Sequence, residues 1–264
     1  AALDVFEVEP PDGSPLLNLD RVICTPHLGA STREAQTNVA VAVVKQIVEF
    51  LKTGTVVNAV NIPSVTGELL TRLRPFLELG DRIGCLLPQL LQGALKEVAI
   101  EYTGDFQGLD MAPVTTAILK GLLTPTVKDD VNSVNAPILA KERGIKVSET
   151  ASAESDEFLN LVTVRAVTTL MDCTLAGTIY GKQDSRIVRI NNFRLEMIPL
   201  GHMAIIHNQD KPGAIGSIGT TLGNHEINIA RMQVGQEEEG NHNIIFLNTD
   251  TQIPEHVLDE LRAL

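Results

Sequence analysis

Cysteine, basic residues and long apolar runs are scarce in this sequence, and each shortage excludes something. Its three cysteines, Cys24, Cys85 and Cys173, are widely spaced and odd in number. They form neither a disulfide framework nor a Cys-x-x-Cys metal motif, so a reducing, cytoplasmic setting is expected. Lysine and arginine number 21 against 33 acidic residues, a net charge of -12. That excludes a surface built to coat nucleic acid, because phosphate backbones attract clustered cations. No apolar run approaches the roughly 20 residues that span a bilayer, and the first residues are not expected to act as a signal peptide. His202, His207, His225, His242 and His256 lack metal-ligand spacing, so no metal, nucleic acid or membrane is expected as a partner.

What is present suits a multi-domain globular protein. The chain has 264 residues, 44% hydrophobic and 20% charged, enough for two or three domains with buried cores. Near its start, Pro26-His27-Leu28-Gly29-Ala30-Ser31-Thr32 places an imidazole between a stiffening proline and a glycine that permits close approach of a ligand. Short strands are predicted at 1–6 and 21–25, the second delivering His27 at its C-terminal end, where open α/β sheets collect ligands. A helix is predicted from Ser31 to Lys52, with Ser31 and Glu34 as a capping box and Ala35, Val39, Val43, Ile47 and Leu51 at helical spacing. Residues 55–64 read as a linker or crossing strand.

The next region, to about residue 198, alternates helices and strands without a nucleophile triad or phosphate loop. Helices are predicted at 69–91 (with a break allowed at Pro75 and Pro88), 113–123 and 135–144. Strands are predicted at 95–103, 145–150, 157–169, 175–180 and 186–195. Along a single strand, Arg186 and Arg194 would share a face and Arg189 would point away. The last region reads as strand, helix, hairpin, helix: 202–208, a turn at Asp210-Lys211-Pro212-Gly213, a helix to Gly223, strands 226–235 and 242–249, and a helix 254–264. That is a ferredoxin-like β-α-β-β-α order without its last strand, so a truncated terminus is expected.

With these residues in view, PHLGAST preceded by ALDVFEVEPP resembles the D-2-hydroxy-acid dehydrogenase family. HNQDKPGAIGSIGTTLGNHEINIARMQVG resembles an ACT regulatory domain. The middle stretches VNAPILAKERGI and GTIYGKQDSRIVRINNFRLEM are similar to the extra domain of the long form of the D-3-phosphoglycerate dehydrogenases. The resemblance covers essentially the whole chain. It implies a remnant of the Rossmann-type and substrate domains over 1–64, an α+β intervening domain over 65–198 and an ACT domain over 199–264.

The activity so implied is NAD-dependent oxidation of 3-phosphoglycerate to 3-phosphohydroxypyruvate in L-serine biosynthesis. His27 would be the general acid/base, and His27, Leu28, Gly29 and Ala30 would meet the nicotinamide end of NAD. The orienting carboxylate, the substrate-binding arginine and the G-x-G-x-x-G loop are expected to lie ahead of this chain, leaving it inactive alone. Asn208, Asp210 and Asn228 match a serine site formed between two ACT domains, implying self-association, with a homotetramer expected. Arg186 and Arg194 match a second anion site suited to phosphorylated substrate. Two other readings remain open at this point: a non-catalytic amino-acid sensor, and a dehydrogenase of another 2-hydroxy acid.

Overall fold

The computed structural model describes residues 1–53, 58–60, 68–106, 108–127, 130–154, 157–237 and 242–264. These form two units, one over 1–60 and one over 68–264. Most of the 55–64 stretch, read as a linker or crossing strand, lies outside the described residues, as does 238–241 in the predicted hairpin connection.

In the first unit, β1 (Ala2–Leu3) and β2 (Ile23–Cys24) pair in parallel, Leu3 opposite Cys24. Between them runs a proline-rich excursion with a 3-10 turn at Pro15–Asn18. The following helix, α1 (Arg33–Thr53), is capped one residue later than the predicted box: the N–H of Ala35 donates to Thr32 Oγ1 at 3.1 Å. Its apolar stripe stays open, with Val39, Val43, Ile47 and Leu51 each at least 46% exposed.

The second unit begins with α2 (Glu68–Leu90), one helix running through Pro75 and Pro88 without a break. The hydrogen bonds that the prolines forfeit are offset by a buried face of Leu73, Leu79, Ile83 and Leu87. Then follow β3 (Leu95–Gly104), α3 (Ala112–Leu123), α4 (Ala136–Glu142), β4 (Lys146–Ser152), β5 (Asn160–Thr168) and β6 (Asp172–Tyr180). Helices α2 and α3 cross closely at Gly84 and Gly121, where a Cβ on Gly84 would fall 2.4 Å from the Ile118 carbonyl oxygen. Gly177 in β6 admits Leu79 in the same way.

The predicted strand 186–195 is instead a hairpin, β7 (Asp184–Ile190) and β8 (Phe193–Met197). It turns at Asn191, whose φ of 50° is one that asparagine tolerates. A register shift between Ile187 and Arg189 adds a bulge, with Ile187 and Val188 both buried.

The last elements are β9 (His202–Gln209), α5 (Ala214–Asn224), β10 (Ile229–Glu237), β11 (His242–Thr249) and α6 (Glu255–Arg262), in the predicted β-α-β-β-α order. Ile218, Leu222, Ile245, Leu247, Val257 and Leu261 form their core. Among the described residues, one nine-stranded sheet, β4-β3-β5-β6-β7-β8-β10-β11-β9, runs through the unit, parallel only at β3–β4. The β8–β10 pairing joins its two halves. Strand β9 is an edge.

Candidate functional site

His27 leaves β2 with φ 52°, a left-handed turn held by hydrogen bonds to the first strand. Its N–H donates to the carbonyl of Asp4 at 3.0 Å. The Asp4 carboxylate then accepts from Thr25 Oγ1 at 2.5 Å and from the N–H groups of Leu28 and Gly29 at 2.6 and 2.7 Å. The Thr25 hydrogen bond, followed by the Leu28 N–H, holds the Asp4 carboxyl below the usual carboxylate range. Gly29 lies close to this carboxylate: a Cβ there would sit 3.1 Å from Asp4 Oδ2.

Glu9 completes the arrangement. The Nδ1–H of His27 donates to Glu9 Oε2 at 2.7 Å, and the Phe6 N–H donates to Oε1 of the same carboxylate at 3.0 Å. Hydrogen bonding to Glu9 holds the His27 imidazolium above its ordinary pKa of 6.5, and the same bond holds Glu9 below 4.5. Nδ1 is thereby fixed as donor, leaving Nε2 as the nitrogen that can exchange a proton with a substrate. This corrects the expectation that no orienting carboxylate lies in the chain. Glu9 is 18 residues from His27, at the start of a proline-rich loop that reads only as a turn, and the loop's return to β2 brings the two together. The signal available was ionic: an acidic residue just after a strand that pairs beside the histidine.

The pair borders an open cavity of about 390 Å³, lined also by Phe6, Leu17, Cys24 and Pro26. Cys24 is half-buried on that wall. His27, Leu28, Gly29 and Ala30 are all exposed beside it.

The remaining predicted residues fall at four places. Arg186 and Arg194 are not brought together, because the turn at Asn191 puts them on different strands. Arg186 donates to both oxygens of Asp184 at 2.8 and 2.9 Å and lies over the Tyr180 ring. It lines a cavity of about 300 Å³ between the halves of the sheet, shared with Glu196, Arg231 and Asn248. The arginine bond holds Asp184 below the ordinary carboxylate value. Arg194 instead pairs with Glu157 and stands opposite Arg189 in register. Arg231, which sequence reasoning missed, reaches the Arg186 cavity from β10.

Asn208 and Asp210 lie at the end of β9, where Asn208 faces Asn243 of β11. Asn243 Nδ2 donates to Asp210 Oδ1 at 3.2 Å. Asn228 precedes β10 at the other end, donating to Asp250 Oδ2 at 2.8 Å. The neighbouring pair Ile229 and Thr249 is six residues along β11 from Asn243, about 20 Å at strand rise. One copy therefore does not bring Asn228 to Asp210.

Among the described residues, no helix is long and apolar enough to cross a membrane. The class defined by this arrangement is a histidine–carboxylate segment followed by two α+β domains. Residues 72–191 match the D-3-phosphoglycerate dehydrogenase intervening domain, and residues 202–264 match the ACT domain. The whole chain is similar to proteins named D-3-phosphoglycerate dehydrogenase. The one from Bacillus subtilis is 40% identical over 99% of this chain and 50% of its own length. That of Methanocaldococcus jannaschii is 39% identical over 100% and 50%, and that of Mycobacterium leprae 35% over 100% and 50%. The chain spans about half the length of the curated relatives it matches, and it corresponds to their C-terminal half. The resemblance drawn from its residues therefore holds.

Proposed function

We propose that this chain is the histidine-bearing, regulatory half of a cytoplasmic NAD-dependent D-3-phosphoglycerate dehydrogenase of L-serine synthesis, with L-serine as its effector. What carries the reading is the His27–Glu9 pair standing ahead of an intervening and an ACT domain in one chain. In the whole enzyme, His27 Nε2 takes the proton from the C2 hydroxyl of 3-phosphoglycerate as hydride leaves C2, forming 3-phosphohydroxypyruvate. Glu9 supports the imidazolium that results. NAD, when bound, supplies the hydride acceptor, with His27 to Ala30 along its nicotinamide end. No G-x-G-x-x-G loop occurs in these 264 residues, so the chain by itself is inactive.

The effector site is built from two copies. A serine molecule is far shorter than the distance of about 20 Å between Asp210 and Asn228 in one ACT domain. An antiparallel neighbour supplies the missing half, so self-association belongs to the sensing function. Chemically, Asp210 pairs the ammonium, while the amides of Asn208 and Asn228 serve the carboxylate and hydroxyl. The test is complementation. Variants D210A and N228A should each lose L-serine binding by calorimetry, and their mixture should recover about a quarter of the sites through mixed dimers. A mixture as inert as its components would sink the two-copy site, and a wild-type chain that ignores L-serine would sink the sensor.

For anions we assign Arg186 together with Arg231, rather than with Arg194. Both arginines line one cavity between the halves of the sheet, and phosphorylated substrate is the expected occupant.

A further inference from the structure

Strand β11 is apolar and buried from Ile244 to Leu247, and such a strand has no packing use for an amide at its end. Asn243 is nevertheless only 4% exposed. Its Nδ2 donates to Asp210 Oδ1 at 3.2 Å, while its Oδ1 is buried with no hydrogen-bond partner. Asn208, directly opposite in the β9–β11 register, also leaves its Oδ1 unpartnered and gives its Nδ2 to the Gln209 carbonyl at 3.0 Å. Burying an unsatisfied amide oxygen destabilises a fold, so an apolar residue of the same shape would serve β11 better. Asn248, near the other end of β11, is also buried with its Oδ1 unpartnered, but its Nδ2 donates to the Leu200 carbonyl at 2.8 Å; what sets Asn243 apart is that its donor meets a carboxylate.

We infer that Asn243 is a positioning residue of the amino-acid site: it holds the Asp210 carboxylate in place to receive the ligand's ammonium. The inference rests on the reading of the ACT domain as an amino-acid sensor. Asp210 is exposed in a turn, where a lone carboxylate samples several rotamers. A buried amide donating to Oδ1 selects one rotamer and leaves the other oxygen for the ligand. The two unpaired amide oxygens add negative potential on the same side, favouring a cation beside Asp210 over an anion. That end of the site therefore reads the amino group, and a hydroxy acid of the same shape is rejected there.

The test titrates the full chain with L-serine and with L-glycerate, which carries a hydroxyl where serine carries its ammonium. In N243L, which keeps the branching of the side chain and carries no unsatisfied oxygen, L-serine affinity should fall about tenfold, the weight of one charge-assisted hydrogen bond. Stability toward urea should not fall, sedimentation should show unchanged self-association, and glycerate binding should stay as weak as in wild type. N243S, which withdraws the donor without added bulk, should reproduce the serine loss if N243L folds poorly. Unchanged serine affinity in both variants overturns the inference while leaving the sensor reading intact. Equal losses for serine and glycerate overturn it as well, since they mark a merely structural role. A wild-type chain that binds no L-serine overturns both.

Discussion

Gly235 is the point at which the two halves of the nine-stranded sheet stand or part. A Cβ there would lie 2.8 Å from the carbonyl oxygen of Arg194, 2.8 Å from Ile244 Cγ2 and 3.3 Å from Leu195 Cβ. The first of these atoms is backbone and cannot rotate aside. In the G235A variant β8 must therefore lift from β10, across the pairs Gln236 with Arg194 and Glu237 with Phe193. The hydrogen bond from the Glu196 N–H to Gln233 Oε1, at 2.9 Å, lies on the same seam. Overpacking of this kind costs about 1–3 kcal/mol. If that cost falls on local opening of the seam, amide exchange there accelerates roughly 5- to 150-fold. Hydrogen exchange read by mass spectrometry on peptides covering β8 and β10 measures it, with β3 and β5 as the internal reference. Faster exchange confined to the seam is expected. Unchanged protection at β8 and β10, or an equal loss throughout the sheet, would refute the assignment of Gly235 as the seam's steric limit.

Replacing Glu9 by Gln should lower the titration midpoint of His27, followed by the NMR shift of its Cε1 proton, because Glu9 stabilises the imidazolium. The sign in stability follows: the histidine's contribution is full below 6.5 and fades as pH rises through its raised folded value. That of Glu9 is present above 4.5 and fades as pH falls through its lowered value, so E9Q destabilises most between the two. A midpoint equal to wild type would show that the 2.7 Å contact does not set the histidine's charge. At the anion cavity, R231A should weaken binding of inorganic phosphate as much as R186A does, whereas R194A should leave it unchanged; calorimetry showing the reverse order would restore the pairing read from the sequence.

Much of the fold was legible because its causes are local. The 3.6-residue spacing of Val39, Val43, Ile47 and Leu51 marks α1, and the turn Asp210 to Gly213, with Gly213 at φ 94°, marks the entry to α5. The β-α-β-β-α order of the last region follows from such signals taken in series. Reading 186–195 as one strand failed because nothing in its alternation reveals a left-handed Asn191. That single residue, with the bulge before Arg189, decides which arginines become neighbours.

By itself the sequence determined the kind of chemistry available: an imidazole after a strand, an acidic turn before a helix, and domains in the order of the dehydrogenases it resembles. The tertiary structure alone decided which groups act together. It set Glu9 on His27 across a loop, Arg231 rather than Arg194 beside Arg186, Asn243 behind Asp210, and Asp210 and Asn228 at opposite ends of a strand. The first rests on a loop closed by the pairing of β1 with β2, the others on strand register, which burial of one sheet face fixes.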